Sequence, residues 1–509
     1  MTRIDSSPPR QGLRAAQWAP VVKAPSSYAG QRVTVVGLGR EGLAVTRVLA
    51  QEGAHVTVSD ARDAAALAPQ LAALADLDVR LSLGDHRPEE VLACDLLVLS
   101  PGVDKRAPLV QQALDRGIRV SSETELFLER CSAPVVGITG SAGKTTTTTL
   151  AAAMLRHGQA RPVFVGGNIG QPLLQRLGEI SSDAWVVLEL SSFQLEWLRM
   201  SPLIAAVTNI TPNHLDRHET MDAYIAAKAH IVAHQGADAV AVLNRDDPAS
   251  AGLARHTPAR VLFFSLIGRK LDGDQAPVDG AFLDGERLVL IGDGQRAVLC
   301  EAGELRVPGR HNVANALAAA CLAHACGVGS HAIGEAIRRF RGVPHRLQLV
   351  GEIGDVRFYD DSIATSPART LAALAALERP VVVILGGRDK HLPWDDLARV
   401  LAGDRCADRG AAVIGCRGVV LIGEAAPLVR GALEAALAAS RAGPARLLQR
   451  EMIVDEATMA GAVARAAHLA RPGDAVVLAP GCASYDMYRD YEERGDDFTR
   501  EVRRRAGHG

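Results

Sequence analysis

The chain has 509 residues, with 56 lysines and arginines against 58 aspartates and glutamates and a formal net charge of -2. This length exceeds one ordinary hydrophobic core, so two to four domains are expected. The balanced charge gives no electrostatic field that would favour DNA, RNA or an anionic membrane as a partner.

Cysteine spacing and the N-terminal segment indicate a protein of the cytoplasm. The eight cysteines include no CxxC pair, a pattern typical of reduced thiols rather than of disulfides or a zinc site. Residues 1–27 lack the apolar stretch of a signal peptide and are expected to form a loose extension. No segment approaches the roughly 20 apolar residues of a membrane span. We therefore expect a cytoplasmic monomer without a membrane span.

Short β-branched runs alternate along the chain with Ala/Leu-rich helical stretches, a rhythm typical of βαβ units. The rhythm starts again near residue 131 and once more after residue 343, so we place domain boundaries near 130 and 343. A Gly/Asp-rich stretch at 272–295 predicts antiparallel hairpins added to the second domain. The runs interpreted as strands are RVTVV, HVTVSD, DLLVLSPG, APVVGITG, DAWVVLELSS, IAAVTNIT, DAVAVLN, RPVVVILGG, RGVVLIG and GDAVVLAPG.

The pattern therefore predicts an α/β protein with three domains in series. Residues 1–130 would form a Rossmann-like N-terminal domain and residues 131–343 a central P-loop ATPase domain with a mostly parallel sheet. Residues 344–509 would form a Rossmann-like C-terminal domain. No short-period repeat is present, which argues against a solenoid.

The segment GLGREG at 37–42 is a nucleotide-binding fingerprint in its expected context, after one strand and before a helix. Its glycines permit a tight turn and bring a pyrophosphate close to a helix N-terminus, where free N–H groups favour anions. Asp60 ends the next strand and could accept hydrogen bonds from a nucleoside. The motif alone favours an NAD-dependent oxidoreductase, and a turn that binds nothing is the other simple interpretation.

The segment GITGSAGKTTTTT, starting at Gly137, resembles a Walker A loop whose first glycine is displaced by one residue. The change leaves its chemistry intact, because Gly140 and Gly143 still let backbone N–H groups curl around phosphates. Lys144 can reach the β and γ oxygens, and Thr145 can bind Mg²⁺. An ATP-binding switch that forms no bond is an alternative at this point.

Two polar residues after the P-loop, Glu189 and His214, are candidates for the reacting centre by pattern. Glu189 ends the strand WVVLEL, where a carboxylate could face the P-loop and bind the metal. In the loop TNITPNHLDRHET, His214 is the better candidate for a position beside Mg²⁺, whereas His218 is interpreted as an ordinary polar loop residue and zinc is disfavoured. By pattern alone, Lys228 is a lysine whose amine reaches solvent from an apolar helix.

A set of motifs in fixed order resembles the Mur ligases, from about Tyr28 to the end of the chain. Within the family, the likeness is greatest to the glutamate-adding members. The motifs that carry it are GITGSAGKTTTT, GGNIG, LELSSFQLE, TNITPNHLDRH, GRHNVANAL, PHR, YDDSIATSP, LGGRDKHLPW and GCASYDMYRDYEERG.

The resemblance implies that ATP, UDP-N-acetylmuramoyl-L-alanine and D-glutamate are joined through an acyl phosphate in peptidoglycan synthesis, with two Mg²⁺ ions and a carbamylated Lys228. It implies an ATP site, a site for the UDP substrate and a glutamate site, with Asn168, His214, Lys144, Glu189 and Lys228 at the reacting centre. The matching residues are, for ATP, Gly140, Ser141, Ala142, Gly143, Lys144, Thr145, Thr146, Asn312, Asn315, Arg346 and Asp361; for the UDP substrate, Gly39, Arg40, Glu41, Asp60, Arg62, Ser100, Asn168 and His214; and for glutamate, Thr365, Lys390, Ser484 and Tyr491.

Three departures from the usual family pattern bear on substrate detail. SAG replaces TNG in the P-loop, and REG places charges in the first glycine turn where small or apolar residues are common. Ile363 stands where a lysine is frequent, so the choice between D- and L-glutamate stays open. A sister Mur ligase reaction is a further alternative. The oxidoreductase hypothesis leaves Lys144 and Glu189 without a role, and the switch hypothesis leaves GLGREG unexplained.

Overall fold

A computed structural model describes residues 27–268, 279–292, 294–307, 309–404, 414–440 and 447–507. The chain divides into two compact units. The first comprises Met1–Glu304 with Val313–Arg338, and the second comprises Leu305–Asn312 with Arg339–Gly509. The predicted loose extension, residues 1–27, lies outside the described residues except for its last member, and Cys406 lies outside them as well.

The first unit begins with a five-stranded sheet in the order β3-β2-β1-β4-β5, and every pairing is parallel. This is the βαβ arrangement predicted for the N-terminal part of the chain. Its strands are β1 Arg32–Val36, β2 His55–Asp60, β3 Val79–Leu83, β4 Leu96–Leu99 and β5 Arg119–Ser121. Its helices are α1 Arg40–Gln51, α2 Ala68–Ala72, α3 Pro88–Val91, α4 Pro108–Asp115 and α5 Glu123–Arg130.

The first unit also contains a nine-stranded sheet in the order β14-β13-β12-β11-β10-β9-β6-β8-β7. It is parallel from β7 to β12 and antiparallel through β13 and β14, so antiparallel hairpins are present in the described part of the stretch 272–295. Residues 272–278 and 293 of that stretch lie outside the described residues. The strands are β6 Val135–Thr139, β7 Val163–Gly167, β8 Trp185–Glu189, β9 Ile204–Val207, β10 Val240–Asn244, β11 Arg260–Ser265, β12 Gly280–Asp284, β13 Arg287–Gly292 and β14 Gln295–Glu301. The helices are α6 Lys144–Gly158, α7 Ser192–Leu195, α8 Leu215–His218, α9 Met221–Ala233, α10 Pro248–Gly252, α11 Arg310–Ala325 and α12 Ser330–Arg339. The first three residues of α11 and the last residue of α12 are assigned to the second unit.

The second unit is built on a six-stranded sheet in the order β15-β16-β20-β17-β18-β19, parallel except for the β15–β16 pair. Three sheets therefore support the predicted mixed α/β fold of three domains. The strands are β15 Gln348–Ile353, β16 Val356–Asp360, β17 Val381–Gly386, β18 Cys416–Ile422, β19 Ile453–Asp455 and β20 Ala475–Leu478. The helices are α13 Pro367–Ala375, α14 Asp395–Leu401, α15 Ala426–Ala439, α16 Met459–Leu469 and α17 Tyr491–Ala506.

Apolar strands sit at the centre of each sheet. All residues of β4, β6, β8, β17 and β20 are buried, because helices cover both faces of a parallel sheet and leave no face for polar side chains. Polar residues of these segments consequently collect at the carboxyl ends of the strands, where ligands bind in open α/β sheets. Among the described helices, none combines the length and apolar character that crossing a membrane requires.

Candidate active site

The first glycine turn joins β1 to α1 as predicted. Gly37 has φ +90°, and a Cβ on Gly42 would lie 1.9 Å from the Gly37 carbonyl oxygen, so no larger residue fits at position 42. The Ser100 hydroxyl, at the end of the neighbouring β4, donates a hydrogen bond to the same carbonyl at 2.6 Å. These contacts fix the backbone of the turn in front of the α1 N-terminus, where an anion could bind.

Asp60 anchors this turn. Its Oδ2 accepts from the Leu38 amide and from Arg62 Nη2, both at 2.7 Å, and its Oδ1 accepts from the Arg62 amide and Nε, both at 2.9 Å. The Arg62 hydrogen bonds lower the pKa of Asp60 to about 2. Each carboxylate oxygen already accepts two bonds, so a nucleoside would reach Asp60 directly only by displacing Arg62. Direct contact between Asp60 and the UDP substrate stays a prediction, and the structure adds an anchoring role.

A cavity of about 520 Å³ opens above the turn. Sequence reasoning missed His86, which lies on the loop after β3 and whose Nδ1 is 2.7 Å from the Ser59 hydroxyl. The available signal was topological, since β3 is parallel to β2 and its carboxyl end reaches the same edge of the sheet. The cavity lining includes all six residues predicted for the UDP substrate in this domain, together with His86: Gly39, Arg40, Glu41, Asp60, Arg62 and Ser100.

The charged residues of REG, Arg40 and Glu41, connect the first glycine turn to connecting segments of the nine-stranded sheet in the same unit. Arg40 donates to the Gly170 carbonyl at 2.8 Å and to the Gly167 carbonyl at 3.2 Å, both in the GGNIG loop. Glu41 is buried, and its Oε1 accepts from the Gln194 side chain at 2.8 Å. Burial raises the pKa of Glu41 to about 7, against the opposing charge of Arg40. The unusual charges therefore serve contacts between the two sheets.

The P-loop connects β6 to α6 and needs both of its inner glycines. Gly140 has φ +154° and Gly143 has φ +81°. A Cβ at Gly140 would lie 1.9 Å from the Thr208 hydroxyl, and one at Gly143 would lie 2.2 Å from Asn315 Oδ1. Asn315, predicted for ATP, is thereby placed against the loop. The Lys144 amine donates to the Gly140 carbonyl at 2.9 Å.

Asn209, two residues after the end of β9, forms hydrogen bonds with the SAG part of the P-loop. Its role was missed from the sequence. Its Oδ1 accepts from the Ala142 amide at 2.9 Å, and its Nδ2 donates to the Ala142 carbonyl at 3.1 Å. The Ser141 amide donates to the Asn209 carbonyl. The usual TNG sequence carries a side-chain amide within the loop, which SAG lacks. Asn209 supplies an amide instead, from the segment that follows β9, the strand that pairs with β6.

Glu189 provides an acceptor that has no partner among the described residues. It is 1% exposed and lies beside β6, with Ile138 as its register partner. Asn168 Nδ2 donates to its Oε1 at 2.8 Å, whereas its buried Oε2 receives no hydrogen bond. A buried carboxylate oxygen left unpaired is costly unless a cation or donor meets it. The residue therefore fits a Mg²⁺ ligand, as predicted.

Lys228 does not reach solvent, so the prediction made from pattern alone is wrong. The side chain is 1% exposed, and its amine donates to the Thr139 hydroxyl at 3.2 Å and to the Gly140 carbonyl at 3.1 Å. The amine also lies 4.7 Å from the Tyr224 ring centre. Burial, followed by repulsion from Lys144, lowers the pKa of Lys228 to about 7. The α9 helix directs this lysine at the P-loop because the helix packs on the sheet there.

The two histidines of the following loop differ in environment. His214 is exposed, has φ +53° and lies 5.1 Å from the Phe193 ring, ring centre to ring centre. His218 is buried in α8, with Nε2 2.9 Å from the Ser192 hydroxyl and Nδ1 3.2 Å from Glu196. Burial lowers the pKa of His218 to about 4. The interpretation of His218 as an ordinary polar loop residue is wrong, since it forms part of the packing beneath His214.

A metal ion beside the P-loop would need water or substrate oxygens as ligands in addition to protein side chains. Among the described parts of the chain, no group of three or more His, Cys, Asp or Glu side chains is arranged to hold a metal. Mg²⁺ commonly keeps several waters and binds through one or two carboxylates and substrate phosphates. Glu189 with the Thr145 hydroxyl is a donor set of that kind.

The residues predicted for glutamate lie at the strand ends of the second unit. The Lys390 amine donates to the Thr365 hydroxyl at 3.0 Å, which brings two of the four together. Ser484 is buried on the loop after β20, and Tyr491 begins α17. Ile363, where a lysine is frequent, is half-buried beside them on the loop after β16.

The second unit also carries three residues predicted for ATP. Arg346 is exposed between His345 and Leu347, which have φ +60° and +42°. Such conformations cost energy in non-glycine residues and are common at functional sites. Asp361 accepts from the Leu347 amide at 2.9 Å, and burial raises the pKa of Asp361 to about 7. Asn312 belongs to this unit as well.

Comparison with known proteins agrees with the resemblance. Three family models match in order: Mur ligase MurD-like, N-terminal domain, at 31–122; Mur ligase middle domain at 138–323; and Mur ligase, glutamate ligase domain, at 345–482. The UDP-N-acetylmuramoylalanine–D-glutamate ligase of Symbiobacterium thermophilum is 41% identical over 468 residues, covering 92% of this chain and 97% of the relative. That of Pelotomaculum thermopropionicum is 39% identical over 476 residues, covering 93% and 98%.

Solved structures show the same fold at low identity. The UDP-N-acetylmuramate–alanine ligase of Thermotoga maritima has a TM-score of 0.50 and 18% identity, over 93% of this chain and all of the other. Family models matched in series and relatives aligned over nearly their whole length lead to one conclusion. The chain belongs to the Mur ligase family and is an ATP-dependent amide ligase.

Proposed function

We propose that this protein joins D-glutamate to UDP-N-acetylmuramoyl-L-alanine at the expense of ATP, in peptidoglycan precursor synthesis. The relatives described above carry the name of this reaction. The observation that carries the proposal is a chain of contacts within the first unit. Arg40, in the first glycine turn, bonds to the GGNIG loop, whose Asn168 bonds to Glu189 beside the P-loop. These contacts connect the turn that would hold the UDP substrate to the carboxylate beside the loop that would hold the reacting phosphate.

The chemistry requires activation because a carboxylate would have to expel oxide. A carboxylate oxygen of the substrate attacks the γ-phosphorus of ATP, the bond to the β–γ bridging oxygen breaks, and ADP leaves. The amine of glutamate then attacks the acyl carbon and loses a proton. Phosphate departs with the oxygen that came from the carboxylate, and an amide remains. Two anions must meet in the first step, so local positive charge is essential.

Lys144 supplies part of that charge, and the residues that would hold Mg²⁺ are Thr145 and Glu189. When bound there, the ion would screen repulsion between the substrate carboxylate and the γ-phosphate. His214 and the carbamate of Lys228 would hold a second ion. Asn168 fixes the Glu189 carboxylate by its hydrogen bond, leaving the other oxygen free for the cation.

Carbamylation of Lys228 is supported by the surroundings of its amine. Carbon dioxide adds only to a neutral amine, and burial favours the neutral form of Lys228. No described acidic side chain forms an ion pair with Lys228, so the ammonium would be poorly compensated. Addition of CO₂ with loss of a proton exchanges that cation for an anion that a metal can compensate.

The second unit carries further residues proposed for ATP and all four residues proposed for glutamate. Within that unit, Arg346 would neutralise phosphate charge, Asp361 would bind the ribose of ATP, and Asn312 would also contact the nucleotide. In the first unit, Asn315, which lies against the P-loop, is proposed for ATP as well. Lys390 would pair with a glutamate carboxylate, as a charge-assisted bond favours, with Thr365, Ser484 and Tyr491 around it. We also propose domain boundaries near residues 130 and 343. The enzyme would act as a monomer in the cytoplasm, because ATP and UDP-linked substrates are available there.

The test is a coupled phosphate-release assay with each component omitted in turn. We expect release only when ATP, Mg²⁺, UDP-N-acetylmuramoyl-L-alanine and D-glutamate are all present. Activity with L-glutamate would favour the alternative stereochemistry raised by Ile363, and activity with another amino acid would favour a sister reaction. Rapid ATP hydrolysis indifferent to both acceptors would contradict the proposal, and nicotinamide bound at the first turn would favour the oxidoreductase hypothesis.

A further inference from the structure

Arg494 is a buried cation that none of the predicted roles uses. Its side chain is 1% exposed and is the largest fully buried side chain of the described chain. It forms no ion pair within 4 Å with a described carboxylate, although the charges of Asp486 and Asp360 favour its protonated form. Burial lowers its pKa to about 10, so it stays charged at neutral pH. Burying a cation is expensive unless its N–H groups are well satisfied. Its hydrogen bonds are therefore informative.

The guanidinium bonds to two strand-end loops at once. Its Nε donates to the Ser362 hydroxyl and its Nη2 to the Ser362 carbonyl, both at 2.9 Å. Nη2 also donates to the Cys482 carbonyl, and Nη1 donates to the Ala483 carbonyl, both at 3.2 Å. Ser362 follows β16, and Cys482 and Ala483 follow the adjacent parallel strand β20. Arg494 thus bridges neighbouring carboxyl ends of the sheet.

A third loop packs against the same group. A Cβ on Gly387, which follows β17, would lie 3.1 Å from Arg494 Nη1 and 2.3 Å from the Ala483 carbonyl oxygen. The next residue, Arg388, exchanges backbone hydrogen bonds with Ala483 at 2.9 and 3.1 Å. Glycine at 387 is therefore required for the loop to approach this closely. The approach sets where Lys390 stands.

The helix of Arg494 is tied to the first of these loops by a separate bond. The Ser362 hydroxyl donates to the Tyr491 carbonyl at 2.7 Å, while accepting from Arg494. The four residues proposed for glutamate consequently all lie on segments joined at this guanidinium. Thr365 lies on the loop after β16, Lys390 on the loop after β17, Ser484 on the loop after β20, and Tyr491 at the start of α17.

We propose that Arg494 is a positioning residue for the amino-acid substrate, whose guanidinium sets the spacing of the three loops and the helix start that bind glutamate. The inference rests on the proposed function. Arginine suits this role because its planar group offers five N–H donors in fixed directions, whereas a lysine ammonium cannot span the same acceptors. Precise spacing matters because displacements of about 1 Å in a substrate-positioning group can reduce rates about 10²-fold.

The experiment measures KM for each of the three substrates in the full-length enzyme by phosphate release. The variants are Arg494→Lys and Arg494→Ala, with Arg500→Gln as a control on the exposed face of the same helix. We expect KM for D-glutamate to rise at least about tenfold in Arg494→Lys, with KM for ATP and the UDP substrate within about twofold of wild type. Arg500→Gln should leave all three unchanged.

Chemical rescue separates positioning from general folding. In Arg494→Ala, added guanidinium chloride at low millimolar concentration should lower the raised KM for D-glutamate, whereas equal sodium chloride should not. Melting temperatures of both variants are measured in parallel. An unchanged KM for glutamate in a folded variant would overturn the inference, as would an equal rise for all three substrates. Failure of both variants to fold would assign Arg494 to folding alone and would also overturn it.

The proposed function fails separately from this inference. If the wild-type enzyme releases no phosphate with D-glutamate, the proposed function is wrong. If the wild-type enzyme is active and the Arg494 variants keep a normal KM for glutamate, only the positioning role is wrong.

Discussion

The two glycine turns of the first unit share one backbone plan and differ in what surrounds it. Both join a parallel strand to a helix N-terminus. Each contains a glycine, Gly42 or Gly140, at a position where a Cβ would collide with a neighbouring atom. At the first turn, the Asp60 carboxylate fixes the backbone and is itself neutralised by Arg62. At the P-loop, uncharged side chains fix the backbone, and two lysine amines face its carbonyls.

The difference matches two tasks for phosphate. A turn anchored by a carboxylate can hold a phosphate that does not react, because the helix N-terminus provides enough attraction for binding. A phosphate that is transferred develops charge in the transition state and needs cations placed around it. On the proposed function, the first turn would hold the UDP substrate without taking part in the reaction, and the P-loop would be the reacting centre.

The largest expected effect is at Lys144. We expect Lys144→Ala to reduce phosphate release by about 10³-fold or more, since it removes a cation from the transferred phosphate. Affinity for the UDP substrate, measured by calorimetry, should stay at the wild-type value. Arg156→Gln, at the exposed end of the same helix, is the control. A parallel loss of UDP-substrate affinity would show that the two turns do not have separate tasks.

Glu189→Gln tests whether charge or only hydrogen bonding matters beside the P-loop. The amide has the same shape and can still accept from Asn168, but it is a much weaker metal ligand. We expect activity to fall about 10²-fold and half-saturating Mg²⁺ to rise, with an unchanged melting temperature. Wild-type activity at ordinary Mg²⁺ concentrations would remove Glu189 from the reacting centre.

Lys228→Ala tests the second amine at the P-loop. Activity should drop about 10- to 100-fold and recover in part when a short carboxylate such as acetate is added, because its charge can replace that of a carbamate. Chloride at equal ionic strength serves as the control. Full activity without any carboxylate would mean that the buried lysine has only a packing role.

The smallest expected effect is at the first turn. Asp60→Asn keeps an acceptor for the Leu38 amide but weakens the hold on Arg62. We expect KM for the UDP substrate to rise roughly tenfold, with kcat and KM for ATP unchanged. A fall in kcat at saturating substrate would contradict a role of this turn in substrate binding alone.

The sequence predicted those parts of the site that local patterns encode. Apolar strands followed by glycines or carboxylates identified both turns and Glu189, because ligands gather at carboxyl ends of parallel strands. Asn209, His86 and Arg494 were missed because their roles depend on partners that only the folded sheets bring near. Lys228 was misjudged because α9 is apolar on nearly every side, so no polar face indicated which way the amine points.

The central claim is that the γ-phosphate of ATP passes to a carboxylate of the UDP substrate. The most direct test uses UDP-N-acetylmuramoyl-L-alanine labelled with ¹⁸O in the alanine carboxylate and mass analysis of the released phosphate. We predict that each phosphate formed with D-glutamate carries one oxygen from that carboxylate. Unlabelled phosphate accompanied by formation of the amide would contradict the account.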